Sequence, residues 1–269
     1  MNKAPVFFIS HGSPTFALEP GMLGLHLHTL GQQLSGIKAV LVVSPHWQTR
    51  DVQVMTTSAP ETVHDFGGFA SELYELQYPA VGHPELATQA AQLLADAGYA
   101  MSVDARRGLD HGAWVPLRHL FPDVRVPVFQ VSMPYALNTT TAFKLGQTLA
   151  PLRQRGVLIL ASGSMTHNLY EFRQSSTIEA PYARDFTQWT RQAVLRHDVE
   201  QLVAYRQLAP QAERAHPTEE HFLPLLVALG ARGDGEVAHL IEGGITNTVL
   251  SMESYAWGLP DERTDSITH

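Results

Sequence analysis

Val6-Phe7-Phe8-Ile9-Ser10-His11-Gly12 is a run of large apolar residues that stops at a small polar residue and a histidine. The pattern recurs in Ala39-Val40-Leu41-Val42-Val43-Ser44-Pro45-His46. It returns in Val157-Leu158-Ile159-Leu160-Ala161-Ser162-Gly163-Ser164-Met165-Thr166-His167. Continuous apolar runs rich in β-branched residues suit strands buried on both faces. Val52 to Thr57 alternates and is β-rich, and Val126 to Met133 reads as a strand broken by Pro134. Helical patterns lie between these runs. Pro84 to Ala97 starts with Pro at a first-turn position and stops at Gly98; Thr139 to Arg155 stops at Gly156. Tyr182 to Arg196 carries Phe186, Trp189 and Ala193 at helical spacing, and Thr218 to Leu229 begins on a candidate Thr cap. Alternating β and α elements predict an α/β fold: a mainly parallel or mixed central sheet flanked by helices.

In such sheets ligands bind beyond the carboxyl ends of the strands. If the three histidine-tipped runs are parallel neighbours, His11, His46 and His167 share one edge. His221, in Glu220-His221-Phe222-Leu223-Pro224-Leu225, is expected in the first turn of a helix, where its side chain can point back over that edge. A hydrogen-bonded loop role is the plain alternative for each histidine taken singly; three with one strand-end context point to a metal site.

Composition narrows the function classes. The 269 residues show no repeat, linker or compositional break, so a single domain over 1–269 is expected. A chain of this length buries about three quarters of its unfolded surface and needs no disulfide or structural metal to fold. The absence of Cys excludes a disulfide framework, Fe–S clusters, thiolate zinc sites and a cysteine nucleophile. With 18 Lys+Arg against 26 Asp+Glu, the net charge of −8 argues against a nucleic-acid partner. The apolar run near the N-terminus is too short for a signal-peptide core, and no run approaches the roughly 20 apolar residues of a membrane span. The expectation is a soluble cytoplasmic protein with no membrane partner. No G-x-G-x-x-G or G-x-x-x-x-G-K-[ST] is present, and Gly163-Ser164-Met165-Thr166-His167 lacks the G-x-S-x-G elbow of serine hydrolases. The 14 histidines can still hold a transition metal through imidazole, with carboxylate help.

Six motifs in order, HGSP at 11–14, SPHW at 44–47, HDFGGF at 64–69, DHGAW at 110–114, SGSMTHNL at 162–169 and EHFLPL at 220–225, resemble the class III extradiol ring-cleavage dioxygenases. The similarity is greatest to the 4,5-DOPA dioxygenase branch, relatives of the catalytic subunit of protocatechuate 4,5-dioxygenase. It runs from His11 to Glu242-Gly243-Gly244-Ile245. The resemblance implies His11, His46 and His221 as metal ligands and His167 as the acid–base residue near the metal. It implies His111 as a second pocket histidine that hydrogen-bonds oxygen or substrate. It also implies the cofactor and partners: Fe(II) for activity, Zn(II) binding readily to the same site, a small catechol and O2. Electron transfer through the metal, attack on the ring carbon beside the diol, rearrangement to a lactone and hydrolysis would follow.

The wider superfamily uses two His and one carboxylate. Here the matching motif offers His221 with Glu220 beside it, and Glu220 is the competing ligand. Ser13, Trp47, His64, Phe66 and Asn168 are candidate substrate-binding residues. His64-Asp65-Phe66-Gly67-Gly68-Phe69 reads as a mobile lid, two glycines for backbone freedom and two aromatics for an apolar ligand, or as a turn whose Phe side chains join the core. Trp47 and Trp114 line the pocket or pack in the core. Asn168 orients His167 or caps a turn, and His216 is a loop residue or lines the pocket. His26, His28, His83, His119, His197, His239 and His269 lie outside any motif, where solvated or capping roles are expected. Two other functions fit the histidines alone: a zinc hydrolase with His167 as base, and a binding protein that keeps the metal pocket without oxygen chemistry.

Overall fold

The computed structural model describes residues 3–174, 176 and 178–259. The strands are β1 (Val6–Ser10), β2 (Ala39–Thr49), β3 (Val52–Met55), β4 (Met101–Asp104), β5 (Val128–Pro134), β6 (Val157–Gly163), β7 (His239–Ile241), β8 (Ile245–Thr246), β9 (Leu250–Ser251) and β10 (Ser254–Trp257). Eight of them form one sheet in the order β4-β3-β5-β2-β6-β1-β10-β7, while β8 and β9 pair separately. The four central strands, β5, β2, β6 and β1, are mutually parallel. β3 and β10 join this block antiparallel, so the sheet is mixed. β1 and most of β2 and β6 are buried, as their continuous apolar runs require.

Register aligns the strand ends that matter. Ser10 pairs with Gly163, and Val43 pairs with Ala161. The histidine-bearing ends of β1, β2 and β6 therefore emerge together at one edge. No helix among the described residues is long and apolar enough to cross a membrane.

Several boundaries depart from the sequence expectation. β2 does not stop at Val43: it resumes with Gln48 opposite Met133 and Thr49 opposite Pro134, after a register shift between Val43 and Gln48. Pro45 lacks the N–H a continuous ladder would use, and His46 lies in that irregular stretch. The expected Thr139–Arg155 helix is α-helical over Thr139–Leu149 and tightens to a 3-10 helix over Ala150–Arg155. The expected helix from Thr218 begins only at Leu223 and runs to Ala231. Pro224 cannot donate to the carbonyl of Glu220, and it occupies the first turn of the helix, where that donor is not needed. His221 therefore sits in a tight turn ahead of the helix, with the N–H groups of Phe222 and Leu223 donating to Glu219 O at 2.9 and 3.1 Å. Helix Pro84–Asp96 follows its expected pattern, and helix Pro181–Leu195 starts one residue before the expected one.

Candidate active site

Two segments face each other across the sheet edge. The turn after β6 carries His167, and the loop before helix Leu223–Ala231 carries His221. They are joined by Ser164 N–H donating to His221 O (2.9 Å), His167 N–H to Ala215 O (2.8 Å), and a His216 Nε2 bond to Met165 O (2.9 Å). The joint brings the His167 and His221 rings into a stack, 3.5 Å between centroids and 8° between planes. His11 is fixed just beyond β1, its N–H donating to Gly163 O at 2.9 Å. Gly12 then turns the chain at φ +62°, a conformation that L side chains rarely adopt.

His11, His46 and His221 converge. Their ring centroids stand 5.0, 5.1 and 5.4 Å apart pairwise. His11 Nε2 and His46 Nε2 are 3.0 Å apart, while His221 Nε2 is buried without a hydrogen-bond partner. Each Nδ1 faces outward: His11 to Ser162 Oγ at 2.8 Å, His221 to Glu220 Oε1 at 3.0 Å, His46 towards Asp65 Oδ2 at 3.7 Å. A carboxylate only accepts, so His221 donates from Nδ1 and keeps its lone pair at Nε2. Lone pairs brought this close need a proton or a cation between them. The donor set and its orphaned nitrogen fit a transition metal. Glu220 fits better as the partner that orients His221, since its Oε1 also accepts from Thr218 Oγ1 at 3.0 Å. It nevertheless lies close enough to His167 and His221 to form a second ligand group with them.

His111 lies on the opposite side. Asp110 caps helix His111–Leu120 by accepting from Ala113 N–H, and its carboxylate also takes Ser44 Oγ–H (2.7 Å) and Arg107 Nη2–H (3.0 Å). His111 is therefore the first residue of that helix, and its ring packs against His46 at 3.9 Å. Asp65 Oδ1 accepts from both His111 N–H (2.8 Å) and His111 Nδ1 (3.0 Å). The Phe66 ring stands edge-on to His111 at 5.7 Å and touches Phe69 and Tyr74. His64 is one ring further out, edge-on to Phe66 and bonded through Nε2 to Leu76 O at 2.9 Å. Trp114 is fully buried and holds this loop's stem, donating from Nε1 to Val63 O at 3.0 Å.

The other candidates make the following contacts. Ser13 caps the 3-10 turn Pro14–Ala17. Trp47 is buried beneath the Arg107 guanidinium, 5.1 Å from its ring. Asn168 donates from Nδ2 to Arg214 O (2.8 Å) and accepts from Tyr170 N–H, the turn-capping alternative. His216 is buried among the rings of Phe186, Tyr205 and Phe222. His83 caps a helix and His269 lies outside the described residues. Asp65 was not singled out in the sequence; its signal was an acidic residue next to His64 in a glycine-rich loop. Ser162 was legible only as part of a strand end.

Burial sets the charge state of the cluster. It holds His11 and His221 well below the ordinary histidine range, and repulsion among the imidazoles adds to it. Burial and His111 bring His46 down to about 3 against the upward pull of Asp65, and burial brings His167 to about 4 against that of Glu220. Burial alone would raise Asp65, but the His111 hydrogen bonds and nearby imidazoles hold it down to about 2. At neutral pH the three converging imidazoles and His167 are neutral and Asp65 is ionised.

The family described as the catalytic LigB subunit of aromatic ring-opening dioxygenases matches residues 27–249, a span that includes His46, His111, His167 and His221. The chain belongs to that family. This class III extradiol dioxygenase is 40% identical over 258 residues to 4,5-DOPA dioxygenase extradiol of Beta vulgaris, covering 94% of this chain and 96% of that one. It is 35% identical over 259 residues to 4,5-DOPA dioxygenase extradiol of Escherichia coli K12, covering 95% of each. A crystal structure of an uncharacterized Escherichia coli K12 protein superposes with a TM-score of 0.78 at 30% identity, covering 94% of this chain and 99% of that one. The dioxygenase is thus an oxidoreductase with a histidine-rich candidate metal site.

Proposed function

We propose that this dioxygenase opens the ring of a small catechol, DOPA-like or another catecholic acid, beside its diol, at an iron held by His11, His46 and His221. The observation that carries the reading is the convergence of three neutral imidazoles on one point, with the Nε2 of His221 buried and unpartnered. Bound Fe(II) would acidify a catechol hydroxyl and bring the diol and O2 together. His167, stacked on His221 and neutral at pH 7, accepts a proton from the substrate and returns it later. Phe66 and the rings behind it form an apolar wall beside His111 for the catechol ring. The neutral ligand set also admits Zn(II), which such nitrogen sites bind more tightly than Fe(II) but which is redox-inert. Family membership favours ring opening over the hydrolase reading.

The test is anaerobic reconstitution of metal-stripped protein with Fe(II) or Zn(II), then air and a panel of DOPA, caffeate and protocatechuate. The expected result is iron-dependent oxygen uptake with a yellow ring-opened product, lost in His167→Ala. Stoichiometric iron binding with no oxygen uptake on any catechol, together with ester hydrolysis by the zinc form, would replace this reading with the hydrolase.

A further inference from the structure

Asp65 receives two hydrogen bonds from one residue. The backbone N–H of His111 is among the donors a helix start leaves without an intrahelical partner, and it donates to Asp65 Oδ1 at 2.8 Å. The ring of the same residue bonds the same oxygen through Nδ1 at 3.0 Å. A backbone contact and a ring contact together fix both the place and the rotation of the imidazole. A carboxylate at a helix N-terminus is also favoured by the aligned peptide dipoles, which helps hold the loop residue there.

We propose that Asp65 is a positioning residue that holds His111 in the Nδ1–H form, so that Nε2 presents a lone pair to the pocket and accepts a hydrogen bond from a substrate hydroxyl. The chemistry follows from the inventory of the groups. A carboxylate cannot donate, so the ring nitrogen facing it must, and in the neutral imidazole the other nitrogen is then the acceptor. Nδ1 must therefore be the donor towards Asp65. The ring lies 3.9 Å from His46 and 5.5 Å from His11, so it faces the imidazole cluster. The group it suits is a phenolic O–H, which it would orient; a bare carbonyl or carboxylate oxygen would find no donor there.

The same loop carries Phe66, whose ring leans on His111. Asp65 and Phe66 are consecutive, so one short segment sets both the orientation of His111 and the apolar wall beside it. A catechol has an apolar face and O–H groups on its edge, which matches this pair. The inference rests on the catechol reading above for its ligand, but not for the state of the ring.

The test uses 15N-histidine-labelled, zinc-loaded protein, which is diamagnetic, with the His111 signals assigned by their loss in His111→Gln. In the unsubstituted protein the expected pattern is a protonated Nδ1 and an unprotonated Nε2. Asp65→Ala should shift His111 towards Nε2–H or a mixture, while Asp65→Asn, whose Oδ1 still accepts, should keep the original form. In the iron-loaded enzyme Asp65→Ala should lower kcat by about ten- to a hundredfold, by analogy with the partners that orient metal-ligating imidazoles. Asp65→Asn should restore most of it. An Nε2–H His111 in the unsubstituted protein overturns the proposal even if Asp65→Ala fails to fold, and so does an unchanged His111 in Asp65→Ala. If no catechol is turned over, the functional reading fails while the histidine spectrum still decides the role of Asp65.

Discussion

At Gly112 a side chain would meet the core of the site. A Cβ there would stand 2.3 Å from Ser44 Oγ and 2.9 Å from His46 Cδ2. Gly112→Ala should therefore displace His46 as well as destabilise the fold, by about 1–3 kcal/mol as for other overpacked positions. Urea unfolding checks the stability, and metal analysis of the same preparation should show reduced occupancy. The competing roles of Glu220 and His221 separate at the same scale. Glu220→Gln removes a charge that orients His221 and should weaken metal binding by about ten- to a hundredfold. His221→Ala removes a ligand and should abolish stoichiometric binding. A competition titration with a chelator measures both; equal losses in the two variants would make Glu220 a ligand. Asp65 shows what the sequence withheld at this scale. Its loop was visible as a glycine-rich aromatic motif, but the contact with His111 spans 46 residues and depends on where helix His111–Leu120 begins.

Among the elements, the strands carrying histidines were legible because four to six buried residues in a row leave little choice but a central strand. β10 was not, although Tyr255, Ala256 and Trp257 are fully buried beside β1. Its four residues, Ser254 to Trp257, are too short to show a period, and tertiary pairing made the strand. The helix from Thr218 was overextended because its apolar pattern outweighed the proline in the second position of the true helix. His221 reaches the site regardless, through the turn that precedes Leu223. Arg153 shows how elements are tied together at the sheet's other end: buried, it donates from Nε to Ala4 O (2.7 Å), from Nη1 to Ala231 O (3.0 Å) and from Nη2 to Glu236 Oε1 (2.7 Å). Arg153→Met should cost about 3–5 kcal/mol, because two carbonyls and a carboxylate lose their donor. Denaturant midpoints check this; a loss under 1 kcal/mol would show that water replaces the guanidinium.

For the whole molecule, burying so many imidazoles makes stability depend on pH. Burial lowers His216 to about 3 and His167 to about 4, from an ordinary 6.5. Between these values and 6.5 the unfolded chain binds more protons than the folded one, so stability rises with pH. It should be full above about pH 6.5 and fall as the pH drops towards 4, by up to about 1.4 kcal/mol per pH unit for each such histidine. Denaturant midpoints of metal-free protein at pH 7, 6 and 5 should decrease in that order; a flat series would contradict the neutral, buried state of these rings. The parallel strand ends, the imidazole trio and the family membership meet in one claim, that this dioxygenase inserts O2 beside a diol. Mass spectrometry of the product formed from a catechol by the iron-loaded protein under 18O2 tests it most directly. The expected product is heavier by both oxygen atoms of one O2 and bears one aldehyde and one new carboxylate. A product with two new carboxylates, or one without label from O2, would contradict it.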